Sequence, residues 1–182
     1  MTIREANLSD ARSIAEIQIT AWKSAYRGLL PDDMLDRLSV NASEKRWAER
    51  IAEPQGHLVV AEIPCGEERR VVGFAGCGNC QDEDVDREKV GELHVIYVHP
   101  EAWRKGYGAA LLEEALRELR EDGFEDAILW VLEGNAQAIK FYTAAGFEAD
   151  GGSKVKKRRD STEMPVIRYR RKIVYGIEER EA

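Results

Sequence analysis

The residues Arg104-Lys105-Gly106-Tyr107-Gly108 place two closely spaced glycines and two cations directly before a run of helical periodicity. A glycine loop opening into a helix leaves the first amide N–H groups without an intrahelical partner, and the helix dipole favours an anion there. The chemistry on offer is capture of a phosphate group by backbone amides from Arg104 to Ala109. A dinucleotide fingerprint would need a further glycine where Leu111 stands, and the Gly-Lys-Ser/Thr run of a P-loop is absent, so neither nucleotide motif fits. A pair of glycines also suits a plain strand-to-helix turn, and the loop alone leaves both readings open. Cys77-Gly-Asn-Cys80 has the spacing of a metal or redox pair, yet the remaining thiol is Cys65 alone, so the sequence predicts neither a metal site nor a disulfide scaffold.

The elements that must position this loop can be read on either side of it. Glu92 to Val98, rich in β-branched and aromatic residues and stopped by Pro100, predicts a strand. From Ala109 the apolar residues Leu112, Ala115, Leu116 and Leu119 share one face, which predicts a helix closed by Gly123 with Phe124 folding back. The apolar run Ala127–Leu132 predicts a strand buried on both faces, parallel to the first, and Asn135 caps a helix ending at Gly146-Phe147.

Upstream, Ile3–Glu5 predicts a short strand, and a helix carrying Ile14, Ile17, Ala21 and Ala25 runs until Gly28 and Pro31 break it. Short helices follow from Pro31 and over Ser43–Ile51, then two antiparallel strands, His57–Glu62 and Arg69–Gly78. Gln81–Lys89 reads as an acidic solvated loop that could attract a cationic ligand. The basic run from Lys154 to Arg159 reads as an exposed hairpin loop, and Met164–Lys172 as a closing strand.

At 182 residues with a formal net charge of −7, the chain suits one well-buried domain and argues against general attraction to nucleic acid or anionic lipid. The start lacks an apolar leader and no stretch reaches membrane-spanning length, so a cytoplasmic location is expected.

Two motifs taken together resemble the GNAT superfamily of acetyl-CoA-dependent N-acetyltransferases. These are the strand with its Arg/Gln-x-x-Gly-x-Gly/Ala loop, and the later Asn-x-x-Ala-x-x-Phe-Tyr-x-x-x-Gly-Phe, matched at Asn135, Ala138, Phe141, Tyr142, Gly146 and Phe147. One departure is Trp103 at the Arg/Gln position. The resemblance implies a single α/β (α+β) domain over 1–173, built on a mixed, mostly antiparallel sheet with helices on both faces, and a charged tail over 174–182. It implies acetyl-CoA as cosubstrate, with its arm lying between two splayed central strands. Backbone groups of Ile96, Tyr97 and Val98 would pair with that arm, amides of Arg104, Lys105, Gly106, Tyr107, Gly108 and Ala109 would hold the pyrophosphate, and Asn135 would touch the arm. It further implies Glu92 as carboxylate base, with His94 as substitute, and Tyr142 as proton donor to the departing sulfur. Trp22 and Tyr26 would line the site of a small-molecule or peptide amine acceptor, although an aromatic pair at that spacing is also what helix packing requires. A non-catalytic acyl-CoA-binding module is the alternative, and both the acceptor and a homodimeric state stay open.

Overall fold

The computed structural model describes residues 1–158 and 160–173, so the expected tail over 174–182 lies outside the described residues. Seven strands form one sheet in the order β1-β2-β3-β4-β5-β7-β6. They are β1 (Thr2–Glu5), β2 (His57–Cys65), β3 (Glu68–Asn79), β4 (Val90–Val98), β5 (Asp126–Leu132), β6 (Glu148–Lys157) and β7 (Glu163–Lys172). The β4–β5 pairing is parallel and the other five are antiparallel, as the expected mixed sheet requires. Helices α1 (Ala11–Tyr26), α2 (Asp32–Asp36) and α3 (Val40–Ala52) precede β2, α4 (Tyr107–Glu121) joins β4 to β5, and α5 (Ala136–Ala144) follows β5. None of the helices among the described residues is long and apolar enough to cross a membrane.

Two layers of core hold the sheet. On one face Leu111, Leu112, Ala115, Leu116 and Leu119 of α4 meet Leu93, Ala127, Leu129 and Val131. Burial of the four α4 leucines, at about 1.5–3 kcal/mol each, fixes that helix and hence its N-terminus. Gly91 lets it approach closely, since a Cβ there would stand 2.7 Å from Leu119 and 2.9 Å from Phe124. The predicted C-terminal stop is present: Gly123 has φ +94° and the Phe124 amide donates to the Leu119 carbonyl at 3.0 Å. On the other face Ile14, Ala15 and Ile17 of α1 pack with Trp47 of α3 on Val60 and Phe74. Gln18 Oε1 pins the helix pair by accepting from Ser43 Oγ (2.8 Å) and Trp47 Nε1 (2.9 Å).

Two expectations need correction. The basic run is not a loop: Lys154 to Lys157 belong to β6, and the turn of that hairpin begins at Arg158, whose amide donates to the Thr162 carbonyl. Gly151-Gly152 lies in a bulge of β6, where the register with β7 slips between Ala149 and Ser153. Nor is the acidic segment simply solvated. Asp82 accepts from Trp130 Nε1 (2.9 Å) and Lys154 Nζ (2.5 Å), and Asp84 takes both terminal nitrogens of Arg168 at 2.8 Å. The carboxylates of Asp82 and Asp84 are therefore already engaged. Lastly, the cysteine pair is split, with Cys77 in the α4 cluster and Cys80 beside Val90 and Ile128 in another. Burial pushes the Cys77 thiol up to about 12, which makes it inert.

Candidate functional site

β4 and β5 pair only from Val90↔Asp126 to Leu93↔Leu129, after which the two strands part. Each has a better partner on its far side: Val95 to Val98 continue on β3, and Trp130 to Leu132 continue on β7. The β3–β4 register slips between Gly76 and Cys77 and leaves His94 unpaired, a bulge that bends β4 at the point where the fork opens. Because the His99 amide donates to Val72 of β3 (2.8 Å), two-residue alternation turns the amides of Ile96 and Val98 toward the gap. The same alternation faces the backbone of Tyr97 to β3, so two of the three expected backbone contributors, not three, line the opening.

The loop beyond β4 completes the mouth of the fork. Arg104 has φ +59° and Gly106 φ +84°, a left-handed pair that turns successive amides to one side. Among the described residues, none of the amides from Arg104 to Ala109 donates to a backbone carbonyl or a side chain, and Ala110 is the first to bond back, to Gly106 at 3.1 Å. The helix therefore begins two residues before the expected Ala109 and presents its free amides directly to the gap. Trp103 has a structural job that accounts for its departure from the motif, since its indole N–H donates to the Val98 carbonyl at 2.7 Å and anchors the loop to the strand end. The Lys105 ammonium folds back onto the Glu101 carbonyl (2.9 Å), whereas Arg104 is exposed.

Phenol groups converge around the open ends of the fork. The Tyr26 hydroxyl sits beside those of Tyr97 and the side chain of Asn135, and both Tyr26 and Tyr97 lie within electrostatic reach of Tyr142. Burial pushes the phenols of Tyr97 and Tyr142 well above the ordinary tyrosine value, with Tyr26 adding to the effect. Asn135 Oδ1 caps α5 by accepting from the Ala138 amide at 3.1 Å. Trp22 stands edge-on to Tyr26, with ring centroids 5.1 Å apart.

Glu92 lies one residue before the last β4–β5 pair, buried, with His94 Nδ1 3.6 Å from its carboxylate. Lys156 of β6 is close enough to interact with it electrostatically. Sequence reasoning placed only the Tyr97 backbone at the site, and it read Lys156 and Arg158 as members of a basic hairpin loop and not as site residues. The alternation Lys154, Lys156, Arg158 was the available signal: in a strand it puts all three cations on one face.

The profile of the acetyltransferase (GNAT) family matches residues 14–147. This chain belongs to that family. The match spans every element of the fork, from α1 through Phe147, and the family assignment makes the protein an acyltransferase. Among GNAT relatives, the uncharacterised N-acetyltransferase YuaI of Bacillus subtilis is 34% identical over 144 residues, covering 79% of this chain and 78% of that protein. The spermidine N(1)-acetyltransferase of Thermoplasma acidophilum is 22% identical, covering 81% of this chain and 88% of its own. In fold, the chain is similar to yncA of Salmonella typhimurium, solved with its cofactor acetyl-CoA, with a TM-score of 0.68 at 21% identity over 96% of this chain and 95% of that one. The GNAT fold is thus shared across nearly the whole length.

Proposed function

We propose that the protein transfers an acetyl group from acetyl-CoA to a primary amine by direct attack in a ternary complex. One observation carries the reading: six consecutive amides, Arg104 to Ala109, stand without acceptors among the described residues at the mouth of a strand fork. Amides in this arrangement suit a pyrophosphate, and the bared edge of β4 at Ile96 and Val98 suits an amide-bearing arm added as though it were another strand. When bound there, the cosubstrate supplies a thioester, an acetyl group already activated for attack. The Val98 N–H, pointing into the gap, is placed to support the oxyanion that develops on the carbonyl.

The incoming nitrogen must be neutral. A lysine-like amine with a pKa of about 10.4 is neutral at pH 7 in roughly one molecule in 2,500, a cost of about 4.6 kcal/mol, whereas an α-amine near 8 costs about 1.4 kcal/mol. A base is therefore valuable for the first and nearly optional for the second. Glu92, at the base of the fork, serves as that base, with His94, 3.6 Å from its carboxylate, as the substitute. As the C–N bond forms and the C–S bond breaks, Glu92 takes the amine proton and Tyr142 gives its phenolic proton to sulfur. A phenol whose acidity is weakened by burial stays protonated at every working pH, which is the state a proton donor needs. Trp22 and Tyr26 wall the acceptor site from the α1 side. A cytoplasmic location is compatible with this reading.

The direct test is thiol release from acetyl-CoA by the purified protein against a panel of amines, with acetyl-CoA binding followed by calorimetry. Turnover dependent on an amine is the expected result. Tight binding with no turnover on any amine would reduce the protein to an acyl-CoA-binding module.

A further inference from the structure

The acceptor side of the fork is bounded by the β6–β7 hairpin, and there two hydrogen-bond donors are left over. The Arg158 guanidinium lies on the Trp22 ring, its central carbon 5.0 Å from the ring centroid. Arg158 Nε and Trp22 Nε1 are both sealed from water, and among the described residues neither makes a hydrogen bond of good geometry, although the Tyr97 hydroxyl lies close to Trp22. Buried polar atoms in folded proteins are almost always satisfied, so adjacent orphan donors call for a ligand. The nearest anion to Arg158, Asp160, is exposed and its Oδ2 lies 3.5 Å from Nε, outside hydrogen-bond geometry.

The surroundings decide the charge of that ligand. Lys156, two residues before Arg158 on the same face of β6, makes no ion pair among the described residues, whereas Lys154 is paired with Asp82. Lys156 is exposed, so its ammonium is open to an incoming anion. The wall formed by Trp22, Lys156 and Arg158 thus holds two cations and two orphan donors against one exposed carboxylate, Asp160, with buried Glu92 also within electrostatic reach of Lys156. A polyamine would bring more positive charge to this wall. A carboxylate brings two oxygens, one for each orphan donor, and a guanidinium binds it well.

We infer that the acceptor is a small amine that also bears a carboxylate, as an amino acid does, its carboxylate held by Arg158 and the Trp22 indole N–H while its nitrogen enters the fork near Glu92. This rests on the acetyl-transfer reading and narrows its substrate class. The Arg158 side chain is 30% exposed and sits on a hairpin, so it can turn off the ring to admit the ligand and return over it.

The test compares amino acids with their carboxamides, with the matching decarboxylated amines and with spermidine, by thiol release from acetyl-CoA with the full chain. Carboxylate-bearing amines should show at least about tenfold higher kcat/KM than their amides, the loss expected when a charge-assisted contact is removed. Arg158→Gln and Trp22→Phe should each raise the amino-acid KM by about tenfold or more, leave the KM of acetyl-CoA within about twofold, and erase the preference for carboxylate over amide. Arg158→Lys should recover part of that preference, which a purely structural role would not predict. If spermidine or the decarboxylated amines serve as well as the amino acids, or if Arg158→Gln keeps the preference, the inference is overturned while acetyl transfer to amines stands. If no amine releases thiol although acetyl-CoA binds, both fall together.

Discussion

Replacing Tyr142 by phenylalanine deletes the single oxygen that the reading assigns to protonate the departing sulfur. The ring packs against Phe141 (centroids 5.2 Å) and Phe147 (6.1 Å), contacts that phenylalanine preserves. Its hydroxyl makes no hydrogen bond among the described residues, so the variant should melt within a few degrees of the parent. A thiol of pKa near 8.5 is a tolerable leaving group. The deficit should therefore fall at the low end of the range for general acids, about 100-fold in kcat, equivalent to about 2.7 kcal/mol of barrier. Acetyl-CoA KM should stay within about twofold, because the hydroxyl acts on the sulfur only as the bond breaks. The pH dependence supplies a sharper check. Tyr142 acts in its protonated form and burial raises its pKa above the ordinary value, so it contributes no alkaline limb over the usual assay range. The variant should lie below the parent by a constant factor from about pH 6 to pH 9, with both limbs unmoved. Steady-state thiol-release kinetics over that range make the comparison. A kcat within about twofold of the parent, or a deficit that grows toward one end of the pH range, would refute the assignment.

The gap itself can be filled. A Cβ at Gly108 would sit 3.6 Å from the Phe141 ring and 3.8 Å from Val98, so alanine fits, but a leucine there must enter the space between β4 and α5. Gly108→Leu should weaken acetyl-CoA binding by about tenfold or more by calorimetry with little change in Tm, and an unchanged affinity would place the arm elsewhere. Stability has its own pH signature at the far edge of the sheet. Buried Asp10 accepts from Arg4 (2.7 and 2.9 Å) and from the Asn7 amide (2.8 Å). Burial draws its carboxyl upward, but Arg4 and Asn7 outweigh this and hold it below the ordinary aspartate range. The stabilisation is therefore fully present above the unfolded-state value and is lost as the pH falls through the depressed folded one. Asp10→Asn should lower stability by about 1–3 kcal/mol at neutral pH, and the gap to the parent should close below about pH 4 in urea titrations. A gap that persists in acid would mean the loss is one of packing.

Much of the fork was legible in the sequence because its determinants are local. A strand stopped by Pro100, two glycines, and a helix with one leucine face closed by Gly123 each depend on neighbours within a turn or two. The motif around Asn135 and Tyr142 was equally legible, and the matched family bears out the fold it implied. What sequence missed depends on distant partners. That Lys154 to Lys157 form a strand follows from pairing with β7 and from Asp82 meeting Lys154 and Arg168 across the sheet. The skip at His94 that bends β4 arises from its register with β3, which no spacing within Glu92–Val98 reveals. Trp103 looked like a defect in a phosphate motif until its indole was seen tied to Val98. Arg158, read as one cation in a basic run, acquires meaning only from its contact with Trp22 on α1.

The central claim is that the free amides from Arg104 to Ala109 are the seat of the pyrophosphate. Amide hydrogen exchange with and without saturating CoA, resolved to single residues, addresses it directly. The account predicts that exchange at these positions slows by about tenfold or more, with smaller protection at Ile96 and Val98 on the bared edge of β4. Exchange unchanged from Arg104 to Ala109 while CoA protects some other part of the chain would contradict it.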